Sequence, residues 1–222
     1  MTHIRTGLTR SPSVIREPEN SSAPQEIDLK SRKWQLFVAA SQIHPRRILE
    51  VGVCPGHTAL ALILEAQKHV AQKSDVTYYG LDIFGPMTTQ EFDGTAPLPL
   101  EQIQAKLEST GAEIHLIKGD SKVTLPEFVK TAEPMDLIYI DGGHSYATVA
   151  SDWEYARRLM KPGTVFIFDD YWDRLEAGCR KVVGAIDRSK YAVEICEPGE
   201  FLPANWHLAP SYICRAVKVL LR

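Results

Sequence analysis

The sequence has no apolar run long enough to cross a bilayer: the longest, Ala59 to Leu64, falls far short of the roughly 20 residues a spanning helix needs. A membrane partner is therefore not expected. Nor is there a block of Lys or Arg. With 25 basic against 28 acidic residues, and a net charge of −3, the chain lacks the electrostatic footprint of a nucleic-acid binder. Cysteine is sparse as well. Cys54, Cys179, Cys196 and Cys214 form no CxxC pair, which argues against a zinc cage or a disulfide framework and fits a reducing, cytoplasmic compartment. Residues 1–28 are short of large apolar side chains and rich in Ser, Pro, Glu and Asn, so they cannot offset their own ordering entropy and read as a flexible arm. Met1 to Arg16 carries Arg5, Arg10 and Arg16 with no acid, a weak transit-peptide character without the apolar core of a secretion signal.

What remains, residues 29–222, suits one α/β domain. Leu36, Phe37, Ala40 and Ile43 recur at helical spacing and His44-Pro45 ends the pattern. Apolar strands and helical patterns then alternate, with strands expected at Ile48–Val53, Val76–Asp82, Glu113–Gly119, Met135–Ile140, Thr164–Phe168 and Tyr191–Cys196. Helices are expected between them at Ala59–Val70, Leu98–Leu107, Val123–Lys130, Tyr146–Met160 and Glu176–Arg188. This βα rhythm predicts a mostly parallel sheet covered on both faces, with Ser211 to Leu221 as an antiparallel addition. Two long connections, Ile83 to Pro97 and Glu197 to Pro210, hold Phe84, Phe92, Phe201 and Trp206 among prolines and are candidate lids, with surface decoration as the alternative.

The chemistry concentrates at strand ends. Glu50-x-Gly52-x-x-x-Gly56 closes the first strand and opens a helix at His57-Thr58. Glycines there let the backbone turn sharply and a ligand approach. The spacing differs from the Gly-x-Gly-x-x-Gly of dinucleotide folds, and the acid two positions ahead favours a cationic amino-acid moiety over a pyrophosphate. Asp82, at the end of the second strand, is placed to take both hydroxyls of a ribose. Gly119-Asp120-Ser121 follows the third strand, where Asp120 serves either a ligand or the N-cap of the next helix.

Together with Asp136-Leu137-Ile138-Tyr139-Ile140-Asp141-Gly142-Gly143-His144, these motifs resemble the ordered motifs of class I S-adenosylmethionine-dependent methyltransferases, from about Arg46 to Tyr171. The later Lys161-Pro162-Gly163 through Asp169-Asp170-Tyr171 is similar to the branch of small O-methyltransferases in natural-product and sugar tailoring. The resemblance implies a Rossmann-like αβα sandwich with a seven-stranded sheet whose last strand is antiparallel. It implies a cofactor set of Glu50, Gly52, Gly56, Asp82, Asp120, Ser121 and Asp141, with the glycines on the methionine part, Asp82 on the ribose, and Asp120 with Ser121 near the adenine.

The resemblance also implies an acid trio, Asp141, Asp169 and Asp170, that could gather on Mg²⁺, although metal-dependent relatives commonly carry Asn at the last position. Without metal, His144 is the natural base, since imidazole titrates near neutrality; His144 and Asp141 are the catalytic candidates. An acid often stands in the tailoring relatives where Gly143 stands here. The plain alternative is a strand-exit turn with His144 capping a helix. Tyr171 and Trp172 are candidates for the acceptor pocket. The expected activity is methyl transfer to an oxygen of a small molecule, with an N-acceptor, a non-catalytic cofactor-binding scaffold and a nicotinamide-dependent reductase as competing readings. A homo-oligomer is left open.

Overall fold

The structure, a computed structural model, describes residues 32–85, 98–172, 177–202 and 211–222. The expected arm, Phe92, Trp206 and most of both candidate lids lie outside the described residues.

Strands β1 (Arg47–Val51), β2 (Thr77–Asp82), β3 (Glu113–Lys118), β4 (Met135–Ile140), β5 (Met160–Trp172), β6 (Tyr191–Ile195), β7 (Glu200–Leu202) and β8 (Tyr212–Leu221) make one sheet. Its order is β3-β2-β1-β4-β5-β8-β6, with β7 paired on β8. The pairs among β1 to β5 are parallel, and β8 runs antiparallel to β5, β6 and β7. The α/β sandwich with a final antiparallel strand is as expected. Among the described residues the short β7 adds an eighth strand to the expected seven, because Glu200–Leu202, inside an expected loop, folds back along Tyr212–Cys214.

Side-chain parity sorts the core into two layers. Ile48, Tyr78, Leu137, Tyr139, Val165 and Ile167 face helices α1 (Trp34–Ile43), α2 (His57–Gln67) and α3 (Leu100–Glu108). Leu49, Leu81, Ile138, Ile140, Phe166 and Phe168 face α4 (Ser121–Phe128), α5 (Tyr146–Ala156) and α6 (Gly178–Ala185). Continuing that alternation past the strand ends puts Glu50, Asp82, Asp141 and Asp169 on the α1 side. Trp153 packs edge-on to Phe166 and Tyr191 in the other layer. Phe84, a candidate lid residue, is instead 5 % exposed and part of the core of the α1 side. Among the described residues no helix is long and apolar enough to cross a membrane, and the four cysteines are free thiols.

Candidate active site

The glycine turn is held from within. Gly52 has a φ of +93°, and a Cβ there would lie 2.1 Å from the carbonyl oxygen of Asp141. Its glycine is therefore demanded by the close approach of the β1 and β4 exits as much as by any ligand. Gly56, at φ +81°, stands before α2 without a side-chain cap, so the first-turn amides point outward as an anion-accepting end. Asp82 braces the same turn: its Oδ2 accepts from the Val53 amide at 2.7 Å and the Cys54 amide at 3.0 Å, and its Oδ1 accepts from Phe84 at 2.9 Å. Lone pairs on a carboxylate outnumber these three donors, which leaves Asp82 able to take a ribose hydroxyl as well.

Behind the turn, Glu50 is 1 % exposed and accepts from the Tyr78 hydroxyl at 2.6 Å. Burial, with Asp141 nearby and despite the Tyr78 hydrogen bond, pushes its carboxyl up to about 8. A cation brought beside it would restore the charged form. Asp120 is the N-cap of α4, accepting from the Lys122 amide at 2.9 Å. Its side chain is about half exposed and salt-bridged to Lys122 at 3.1 Å, so the capping role is met, and the carboxylate lies at the carboxyl end of β3. Ser121 opens α4 beside the buried Asp152.

Of the acid trio, Asp169 and Asp170 lie together and Asp141 reaches Asp169 only through shared partners, two of the partners of the three acids coming from the start of the chain. The Arg32 guanidinium pairs with Asp169 through Nε, with Asp170 at 3.3 Å and with Glu200 at 3.1 Å. Lys33 Nζ lies 2.8 Å from Asp141, 4.0 Å from Asp169 and 3.3 Å from the Thr58 hydroxyl. The buried Tyr139 hydroxyl reaches Asp169 at 2.7 Å and Asp141 at 3.1 Å. Burial pushes the Asp141 carboxyl up to about 7, against Lys33 and with Asp169 and Asp170 adding repulsion.

His144 Nε2 lies 2.8 Å from Asp170 Oδ2. Burial works against the imidazolium, but the hydrogen bond and charge of Asp170, with Asp141 and Asp169 behind it, raise the His144 pKa on balance. Asp170 is held well below the usual carboxylate range, its burial outweighed by His144, Arg32 and Trp172. Trp172 Nε1 donates to Asp170 at 3.2 Å, and its ring meets His144 edge-on at 5.0 Å. A pocket opens here between Gly143, His144, Val149, Phe168, Asp170 and Trp172. Tyr171 packs against the layer under α4 to α6 and does not line it. Gly178 lets α6 close on the same loop, since a Cβ there would fall 2.3 Å from the His144 carbonyl oxygen.

Residues 49–171 match a family described as methyltransferase domain. The chain belongs to this family of class I S-adenosylmethionine-dependent methyltransferases. The methyltransferase is 25 % identical over 153 residues to the uncharacterized protein R132 of Acanthamoeba polyphaga mimivirus, covering 59 % of this chain and 69 % of that protein. It shares its fold with the O-methyltransferase TomG of Streptomyces achromogenes, involved in tomaymycin synthesis and solved with S-adenosylmethionine (TM-score 0.57, 18 % identity, 84 % of this chain and 78 % of that one). The O-methyltransferase of Bacillus cereus, solved with S-adenosylhomocysteine, gives a TM-score of 0.59 at 16 % identity, over 89 % and 83 % of the two chains.

Sequence reasoning missed four residues of this methyltransferase site: Arg32, Lys33, Thr58 and Tyr139. Arg32 and Lys33 meet acids that lie 137 and 108 positions away, and nothing local marks such pairs. Tyr139 carries a readable signal: a phenol in an otherwise apolar central strand must find a partner for its hydroxyl.

Proposed function

We propose that this methyltransferase moves a methyl group from S-adenosylmethionine to a hydroxyl oxygen of a small molecule, with His144 as the base. The donor would lie on the Glu50 to Gly56 turn. Its amino group suits the buried Glu50, its ribose suits Asp82, and its adenine suits the β3 exit at Asp120 and Ser121. The solved relatives with S-adenosylmethionine or its product bound support that reading of the fold. When bound, the cofactor supplies a sulfonium methyl open to attack by an oxygen.

The observation that carries the acceptor reading is the His144–Asp170 pair in the lining of the pocket. With Nε2 donating to Asp170, the neutral imidazole presents Nδ1 as its acceptor. Nδ1 takes the proton of the acceptor hydroxyl, and Asp170 stabilises the imidazolium that results. A neutral amine needs no such removal before attack, so a base held by its own carboxylate favours oxygen over nitrogen. Trp172, Phe168 and Val149 give the pocket aromatic and aliphatic walls, suited to the apolar body of a small hydroxylated molecule.

Mg²⁺ on Asp141, Asp169 and Asp170 is the other arrangement that the motifs suggest, and it fits the donor set poorly. Asp169 and Asp170 are bound by Arg32, and Asp141 by Lys33. Incubation with S-adenosylmethionine and a panel of phenols, sugars and amines, read as S-adenosylhomocysteine released and as O- or N-methyl product by mass spectrometry, tests the proposal. O-methylated product is the expected outcome. Product from amines alone would move the acceptor to nitrogen, and cofactor binding without turnover across the panel would favour the non-catalytic scaffold.

A further inference from the structure

Three carboxylates at two neighbouring strand ends demand a counter-charge, and the chain brings one. Arg32 spans the group like a staple: Nε to Asp169, Nη2 to Asp170 at 3.3 Å, Nη1 to Glu200 at 3.1 Å, and its backbone N–H to the same Glu200 oxygen at 3.2 Å. Its side chain is only 12 % exposed. Lys33 adds a second positive charge from the other side, bridging Asp141 of the acid group to Thr58 in the first turn of α2. A planar guanidinium matches several carboxylates at once and binds them through directional pairs.

A hard divalent ion asks for something else. Mg²⁺ wants about six oxygens at roughly 2.0–2.1 Å in octahedral array. Here Asp169 Oδ1 is taken by Arg32 and the Asp170 amide, Asp169 Oδ2 by Tyr139, Asp170 Oδ1 by Arg32 and Trp172, and Asp170 Oδ2 by His144. The tightest set of ligand-type atoms among the described residues joins Asp169 and Asp170 to Cys214, all within 4.8 Å. The third member is a soft sulfur ligand, poorly matched to a hard ion, and the guanidinium lies on both carboxylates.

We propose that Arg32 and Lys33 are the resident cations of this site, holding Asp141, Asp169 and Asp170 in the role a divalent metal would otherwise fill. Arg32, which touches Asp170, is a positioning residue for the Asp170–His144 pair, Lys33 holds Asp141, and methyl transfer runs without metal. This rests on the methyltransferase reading above, but its test does not.

The test is a Mn²⁺ titration of the whole chain followed by electron paramagnetic resonance, with circular dichroism to check folding. The wild type should leave the free Mn²⁺ signal undiminished to about 1 mM. Replacing both cations (R32Q with K33M) should uncover a site for one Mn²⁺ that binds at least about tenfold more tightly than in the wild type. Loss of one equivalent of signal in the wild type, or no gain by the folded double variant, would overturn the proposal. Should the double variant not fold, the wild-type titration still decides, together with its melting temperature. That temperature should agree within about 1 °C between excess EDTA and millimolar Mg²⁺; a larger rise with Mg²⁺ would count against the proposal. S-adenosylmethionine binding is read on the same samples, so a failure of the methyltransferase reading shows separately from the metal result.

Discussion

Asp170 Oδ2 lies 2.8 Å from His144 Nε2, and the backbone that aims Asp170 there has a φ of 57°, in the left-handed region. Asp is among the few non-glycine residues that tolerate this conformation. It falls where the β5–β8 register shifts between Phe168 and Tyr171, and it lines the same pocket as Phe168 and His144.

The pH dependence of turnover follows from that contact. His144 titrates above the ordinary imidazole value because of Asp170, and below that pKa it is an imidazolium that cannot accept a proton. Turnover should therefore rise with pH through an inflection above about 6.5. Asp170→Asn keeps the backbone conformation but removes the charge, and should move the inflection to lower pH. His144→Gln should reduce the rate by about 10²–10⁴-fold. An unshifted profile in the Asp170 variant would remove the dyad from the mechanism.

Cofactor binding should release protons. Glu50, pushed up to about 8 by burial, is largely protonated at pH 7, and a cationic amino group beside it favours the ionised form. Calorimetry of S-adenosylmethionine binding at pH 7 in buffers of different ionisation enthalpy should show a net proton released, and Glu50→Gln should abolish it. A heat independent of the buffer would count against Glu50 as the partner of the amino group.

Much of this site was legible because its parts are local. The Glu50 to Gly56 spacing, Asp82 at a strand end and the Gly119-Asp120-Ser121 turn each occupy a few consecutive residues, and strand parity aims them at one edge of the sheet. Arg32 and Lys33 were illegible, since they precede the apolar stripe of α1 and their acids come from β4 and β5. The strand β7 was also hidden: three residues in a proline-bearing loop carry no periodicity, and only β8 gives them a partner. Asp170 could be read as an acid but not as a left-handed one, because no glycine marks the position.

Asp152 offers a stability test apart from the reacting groups. It is fully buried on α5, and neither carboxylate oxygen makes a well-formed hydrogen bond among the described residues, with the Ser121 side chain as its nearest polar neighbour. Burial raises its carboxyl to about 6, against easing by Ser121 and Lys122. An unfolded Asp ionises near 3.9, so the folded state holds the proton longer, and stability is lost as pH rises from about 4 to 6 and stays lost above. Asp152→Asn should recover about 1–3 kcal/mol at pH 7.5, raising the melting temperature by several degrees, and gain nothing at pH 4. A lower melting temperature at pH 7.5 would show that the charge is needed.

The central claim is that the Glu50 to Gly56 turn, braced by Asp82, holds S-adenosylmethionine. Calorimetric titration of the wild type and of Asp82→Ala with that ligand at pH 7.5 tests it most directly. The wild type should bind one equivalent with a dissociation constant well below 1 mM, about −4 kcal/mol being the floor. The variant, which loses the brace on the Val53 and Cys54 amides, should bind at least about a hundredfold more weakly, or nearly 3 kcal/mol. No saturable heat from the wild type near 1 mM, or equal affinity in the two proteins, would contradict it.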